Sequence, residues 1–402
     1  MRRSIPLLLA SSHRVIWNAQ VSSKPIAVRS ATERFYHPEL DVLRFFAFLL
    51  IFIHHSVPHD ASFFTKMGVA PALASMVAGL AATGAFAVPL FLLLSSYLVT
   101  DLLIRERALR GEIDLRAFYI RRILRIWPLY FSFLALAWGM QWFVPGQHIG
   151  WRAGLAFAFF AGNWWIVFVG FPSSVIFPLW FISAQEQFYF FWPAVMRKLS
   201  ERGMMVAAAV LLVIANVVRW HLALQHTWES KVWTNTFVQL DAVAFGIILA
   251  VVLGGGAPRL SRLLRSALSI GGFTCLVLAA NYFRIKADSL TTSRVMLGYP
   301  VAAIGALALF LGTLRPGAKL LRNPLVYLGR ISYGLYVFHI LGLMISEYAV
   351  HDYASSVGRY LVREVVALAT AIALAAISYR WLETPFLTLK QRFTHVLSRP
   401  GG

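Results

Sequence analysis

The sequence predicts an all-α fold: a polytopic membrane bundle of about ten transmembrane helices with both termini cytoplasmic. Three observations carry that expectation. Apolar residues make up 59% of the chain and charged ones 13%, roughly half the charged share of about 25% found in soluble domains. Apolar runs of about 20 residues, long enough to cross about 30 Å of hydrocarbon, recur along nearly the whole chain. The formal charge of +20 sits between those runs, where it suits anionic lipid headgroups and the positive-inside rule. A nucleic-acid partner would instead need basic and aromatic residues interleaved on a soluble face.

Taken in order, residues 1–37 read as a basic cytoplasmic tail, because the apolar stretch in MRRSIPLLLASS is too short for a signal peptide. Residues 38–386 form the membrane domain, and residues 387–402 a cytoplasmic C-terminal tail. Apolar runs lie near 43–57, 77–100, 123–144, 152–169, 176–196, 203–219, 235–253, 267–283, 295–314, 331–350 and 360–381. If all of them cross, about 20 Lys and Arg fall inside and about 16 outside, which is hardly a bias. If 152–196 makes one net crossing, the split becomes about 27 to about 9. That choice gives ten crossings and a re-entrant or folded-in segment, which needs protein or a wet cavity to shield its backbone.

The most informative run is LDVLRFFAFLLIFIHHSV, residues 40–57, with Asp41 and Arg44 at one end and His54 and His55 at the other. An ionisable side chain at the centre of a membrane helix costs about 2.5–3.5 kcal/mol, so such residues usually face a protein interior or a wet cavity. Arg44 and His55 are eleven positions apart, close to three full turns, which places both on one helical stripe about 16 Å apart along the axis. His54 points elsewhere. Arg121, Arg122 and Arg125 would share one side of a later helix, either as a dock for phosphates or as positive-inside anchors. Ser95 and Ser96 lie in an apolar run, where hydroxyls commonly bond neighbouring helices. Glu186, between Gln185 and Gln187, must be paired, wetted or protonated, and could orient a histidine or form a structural salt bridge.

The remaining signals are thinner. Trp220, His221, His226, Trp228 and Trp233 read as an interfacial aromatic belt. Asp241 suggests a pair within the bundle, and Arg380 with Glu383, three apart, a local pair. His339 on an apolar face reads as a bonded core histidine or a second functional one. Cys275, the only cysteine, rules out a disulfide within the chain or a thiolate metal cluster, and no residues are assigned to a metal.

Together these segments resemble the acyltransferase 3 family of integral membrane O-acyltransferases (OafA/NodX-like). The resemblance runs from about Leu40 to Phe386, on LDVLR followed by His55, PLFLLLSSYLVT, FYIRRILRIWPLY, PLWFISAQEQFYFFWP, LGRISYGLYVFH and SYRWLETPF. It implies transfer of an acyl group, usually acetyl, from cytosolic acyl-CoA to a hydroxyl, often on a glycan or lipid-linked sugar. It further implies a multi-pass protein of the bacterial cytoplasmic (inner) membrane, with no permanently bound cofactor. Arg44 and His55 would be the essential pair, with Asp41 and Glu186 as supporting acids, and Arg121, Arg122, Arg125 and Ser95 would serve the acyl-CoA end. Two positions depart from the family pattern. Ser96 replaces a glycine, and Gln185 stands where a glutamate is usual.

His55 is the best base in sight, either deprotonating the acceptor hydroxyl or carrying the acyl group itself. Arg44 would stabilise the developing oxyanion or hold Asp41. No Gly-x-Ser-x-Gly elbow is present, and only 19 residues follow Glu383, so no appended esterase-like domain is expected. The rival readings are a proton-coupled transporter, which buried His, Arg and Glu also suit, and a non-catalytic family member acting as an assembly partner.

Overall fold

A computed structural model of the chain describes residues 36–225, 227–285, 291–315 and 323–396, so the N-terminal tail to residue 35, His226 and residues 397–402 of the C-terminal tail lie outside the described residues. Among the described residues the regular structure is helical, with no strand. Helix α1, Pro38–Ser56, starts where a proline fixes the first turn and Glu39 and Asp41 face the positive end of the helix dipole. It stops at Val57, which is extended (φ −99°, ψ 123°), as a residue before proline must be.

Helix α2 (Ala61–Thr65) is capped by Asp60. Helix α3 (Pro71–Thr83) runs through a tight turn at Gly84–Phe86 into α4 (Ala87–Arg110). A Cβ on Gly84 would lie 2.0 Å from the Leu50 carbonyl oxygen, so only glycine lets this turn press against α1. Gly111, in the left-handed region at φ +80°, ends α4. Helix α5 (Leu115–Met140) follows, with Asp114 accepting the Ala117 N–H at 2.9 Å as its cap.

The segment that the charge balance singled out, 152–196, opens with two short helices, α6 (Trp151–Ala158) and α7 (Gly162–Phe168), and ends in a third, longer one. At about 1.5 Å per residue neither reaches half of a 30 Å hydrocarbon layer. Helix α8 (Trp180–Met196) is followed by α9 (Glu201–Leu224), the single-turn α10 (Glu229–Trp233), α11 (Leu240–Leu253), α12 (Arg262–Val277) and α13 (Thr292–Thr313). Helix α14 (Pro324–Arg330) meets α15 (Ser332–Ala349) at a 78° bend, and α16 (Val357–Ser378) leads into a π-helical turn, Tyr379–Glu383, and α17 (Thr384–Lys390).

Seven helical segments among the described residues are long and apolar enough to cross a membrane, or eight if the bent pair counts as one span. Helix α1 has the length but carries three charges, Glu39, Asp41 and Arg44, and α8 has 17 residues. The outer surface is correspondingly apolar. Val206, Val210, Val213 and Val217 make an exposed stripe along α9, while Trp142, Phe143 and Trp151 are exposed aromatics beyond α5.

Buried ion pairs fix the packing. Arg219 on α9 lies 2.6 Å from Asp241 on α11, the partner that the sequence left unnamed. Arg105 pairs with Asp101 at 3.2 Å and donates to the Gly255 carbonyl at 2.9 Å, tying α4 to the turn after α11. Two local expectations are corrected. Trp233 does not belong to an interfacial belt with Trp220 and Trp228: it is buried against Phe86. Arg380 does not pair with Glu383. The π-helical turn widens the winding between them, so Glu383 turns inward to Ser378 while Arg380 lies over Trp381.

Ser96, the departure from glycine, is accommodated by the facing helix. Its hydroxyl donates to the Leu93 carbonyl at 3.1 Å, and a Cβ on Gly246 of α11 would come within 1.9 Å of that oxygen. The small residue that lets α4 and α11 touch is supplied from the other side of the contact.

Candidate functional site

The polar residues of α1 open onto cavities at its two ends. At the N-terminal end a cavity of about 200 Å³ is lined by Asp41, Arg44, Ser95, Arg121, Arg122, Arg125 and Gln185, together with Tyr189, Tyr333, Tyr336 and the C-terminal residues Lys390, Thr394, His395 and Val396. The structure thus brings together Asp41, Arg44, Ser95 and the three clustered arginines expected from the sequence. His55 is elsewhere. It lines a small cavity with His54, Phe177, Trp180, Trp233 and Tyr336, and on its other side a wider, open cavity with Gln147, Ser173, Glu347 and Arg363. The shared helical stripe therefore serves two chambers rather than one. Tyr336, whose hydroxyl donates to the Pro178 carbonyl at 2.5 Å, borders both the arginine cavity and the small histidine cavity.

Each guanidinium at the arginine cavity has its own carboxylate. Arg44 donates to Asp41 Oδ1 at 2.9 Å, while Asp41 Oδ2 accepts from the Tyr36 hydroxyl at 3.0 Å. Arg121 donates to Glu106 Oε2 at 2.6 Å and to the Phe393 carbonyl at 2.7 Å. Arg122 lies over the Tyr189 ring, 4.4 Å from its centroid, and is coupled electrostatically to Glu186. Arg125 is coupled in the same way to Glu383. Glu106, Glu186 and Glu383 are not part of the cavity lining. They sit behind it, which compensates and aims the guanidiniums without neutralising the surface that a ligand meets.

This arrangement answers the question left open for Glu186. It does not orient a histidine: its charged partner is Arg122, and its Oε1 is buried without a hydrogen-bond partner. Gln185, at the family's glutamate position, is the residue that reaches the cavity, and its amide donates to the Ser95 hydroxyl. Glu106 was missed by sequence reasoning because a glutamate flanked by arginines in a basic loop looks solvated. Its side chain is fully buried.

Residues 387–396, expected as part of a tail, form a wall of the same cavity. Besides the Arg121 bond to Phe393, Arg110 lies 2.6 Å from His395 Nδ1, and His395 Nε2 lies 3.4 Å from Asp114. The Ala117 N–H donating to Asp114 holds that carboxyl below its ordinary value of 3.8, with His395 helping. A depressed acid contributes stability that is complete above the ordinary value and is lost as pH falls through the lowered one. Acidification below about pH 4 should therefore lower the melting midpoint of the wild type in detergent more steeply than that of Asp114→Asn, which caps α5 without a charge to lose. Parallel slopes would remove Asp114 from this role.

At the other end, imidazoles gather around His55. Its ring centroid is 5.0 Å from that of His54 and 5.2 Å from that of His339, and His54 stacks on His59 at 4.5 Å. His54 Nδ1 lies 3.2 Å from the Ala81 carbonyl oxygen. Arg363 donates to the Ser56 carbonyl at 3.0 Å and pairs with Glu347 at 2.6 Å, forming the polar rim of the open cavity. No group of His, Cys, Asp or Glu among the described residues is arranged to hold a metal ion. Chemically, the two ends offer a cationic, aromatic-lined chamber suited to an anionic head group and an imidazole site suited to proton transfer.

The chain is 28% identical over 371 residues to the O-acetyltransferase OatA of Staphylococcus aureus (strain NCTC 8325 / PS 47), covering 87% of this chain and 57% of that protein. It is 27% identical over 379 residues to YrhL of Bacillus subtilis (strain 168), a peptidoglycan O-acetyltransferase by name only, covering 88% and 55%. The chain thus spans a little over half the length of these curated relatives. No solved structure matches it. The family model described as an acyltransferase domain matches residues 37–380, and the chain belongs to that family, acyltransferase 3.

Proposed function

We propose that the protein is a membrane O-acetyltransferase that takes acetyl from acetyl-CoA at the arginine chamber and passes it to a glycan hydroxyl at the histidine end. The single observation that carries this reading is the pair of chambers at opposite ends of α1, which meet at Tyr336. Arg44, Arg122, Arg125 and Lys390 would hold the donor's phosphates. The pantetheine arm would then run past Tyr336 and present the thioester to His55. Arg121 is held by Glu106 and Phe393 and chiefly shapes the chamber.

His55 acts as general base or acyl carrier, and the open cavity beside it admits the acceptor. The name of one relative, YrhL, supports a glycan as that acceptor. In the bilayer, α1 and α8 cross together with the eight candidate spans, giving ten crossings with both termini on the cytoplasmic side of the bacterial inner membrane. Such a transferase moves label from [14C]acetyl-CoA into glycan in membranes of expressing cells. Uptake of solute by sealed vesicles without acyl-CoA, and no label leaving the donor, would replace this reading with the transporter.

A further inference from the structure

Among the residues not used by this mechanism, His339 has the most constrained chemistry. Its side chain is fully buried on α15. Its Nδ1 lies 2.6 Å from the Tyr336 carbonyl oxygen. A carbonyl only accepts, so Nδ1 must carry the proton, which leaves Nε2 of the neutral ring as an acceptor. That Nε2 is buried and has no hydrogen-bond partner. A buried acceptor left unmet is costly, which singles this atom out within an otherwise apolar stretch of helix.

The position of the neighbouring ring completes the argument. Two imidazoles joined by an in-line hydrogen bond of about 3 Å have centroids a little over 5 Å apart. The His339 and His55 centroids are 5.2 Å apart, with the rings tilted by 41°. The spacing is therefore that of a bonded pair, which the rings complete by turning into line. The other neighbours of His339, Phe48 at 6.4 Å and Tyr336 at 5.5 Å between ring centroids, pack it against aromatic faces.

We infer that His339 is a positioning residue for His55: in the reacting state its Nε2 accepts the N–H of His55. The inference rests on the reading of His55 as the reacting imidazole. The hydrogen bond from His339 to the Tyr336 carbonyl fixes one tautomer, and that tautomer fixes the next. The His55 nitrogen facing His339 is protonated, so its other nitrogen holds the lone pair. The proton of the acceptor hydroxyl passes to that nitrogen as the new C–O bond forms. It continues to the departing thiolate as the C–S bond breaks, and no proton leaves His339.

Two substitutions separate this role from a structural one. His339→Asn keeps an N–H near the Nδ1 position, able to bond the Tyr336 carbonyl, but removes the acceptor. His339→Gln places its carbonyl oxygen near the Nε2 position and restores the acceptor. Acetyl transfer from [14C]acetyl-CoA is measured in membranes of expressing cells, with rates normalised to folded protein by size-exclusion chromatography and melting midpoint. The expected result is a fall in kcat of about 100-fold for His339→Asn with KM for acetyl-CoA unchanged, and activity within about tenfold of wild type for His339→Gln, as for a positioned acid–base partner. Activity of His339→Asn equal to or above that of His339→Gln overturns the inference, because a residue that only anchors Tyr336 would give that order. His55→Ala run alongside tests the underlying reading: label transfer persisting there removes the reading itself, whatever the His339 variants do.

Discussion

Replacing His55 by alanine is expected to lower acetyl transfer by about 10² to 10⁴-fold while leaving the dissociation constant for CoA essentially unchanged. The reason is spatial. His55 and the arginine cluster line different cavities, and groups well separated with no shared partner act almost independently. Arg122→Ala should give the reverse pattern. Its guanidinium lies over Tyr189 at the cavity wall, and a lost charge-assisted hydrogen bond of about 1.5–3 kcal/mol weakens donor binding by about 10 to 100-fold. Calorimetric titration of CoA into the detergent-solubilised protein reads one effect, and label transfer under saturating donor reads the other. If His55→Ala weakened CoA binding as much as Arg122→Ala, the division into two stations would be wrong.

Glu106→Ala should be the most destabilising single substitution around the arginine chamber. The Glu106 carboxylate accepts from Arg121 at 2.6 Å and from the Asp114 N–H at 3.0 Å, and it is out of contact with water. Removing it strands a guanidinium that is 7% exposed. Breaking one partner out of such a buried pair costs about 3–5 kcal/mol, whereas replacing both partners with apolar residues of similar size is often near neutral. Glu106→Leu combined with Arg121→Met should therefore melt closer to wild type than Glu106→Ala alone. A single variant as stable as wild type would show that Arg121 needs no counter-charge, and would reopen Arg121 as a direct ligand group.

The sequence conveyed composition, order and azimuth, and the particular residues show where that stops. Helical spacing correctly put Arg44 and His55 on the cavity-facing side of α1. It could not show that separate cavities receive them, because Tyr336 and His339 arrive from α15, about 290 residues later in the chain. The charge balance across loops flagged 152–196 as anomalous. Its two short helices follow from local chemistry, a left-handed Phe160 (φ 53°) and a Gly162 on which a Cβ would lie 2.6 Å from the Phe157 ring. Glu186 was visible as an expensive carboxylate, but its partner Arg122 lies on another helix, and no spacing rule within α8 could name it. Residues 387–396 look like a tail in one dimension because Lys390, Arg392 and His395 are polar. In three dimensions Lys390 and His395 line the cavity and His395 also meets a carboxylate, while Arg392 stays exposed.

That last segment has a practical consequence for anyone preparing the protein. The main chain at Phe393 is held by Arg121, and Val396 is packed into the lining of the chamber. An affinity tag, fluorescent fusion or topology reporter joined behind residue 396 would therefore tug on the wall of the arginine chamber. Reporters belong ahead of α1, and a loss of activity seen with a C-terminal fusion says nothing about the residues of the histidine end.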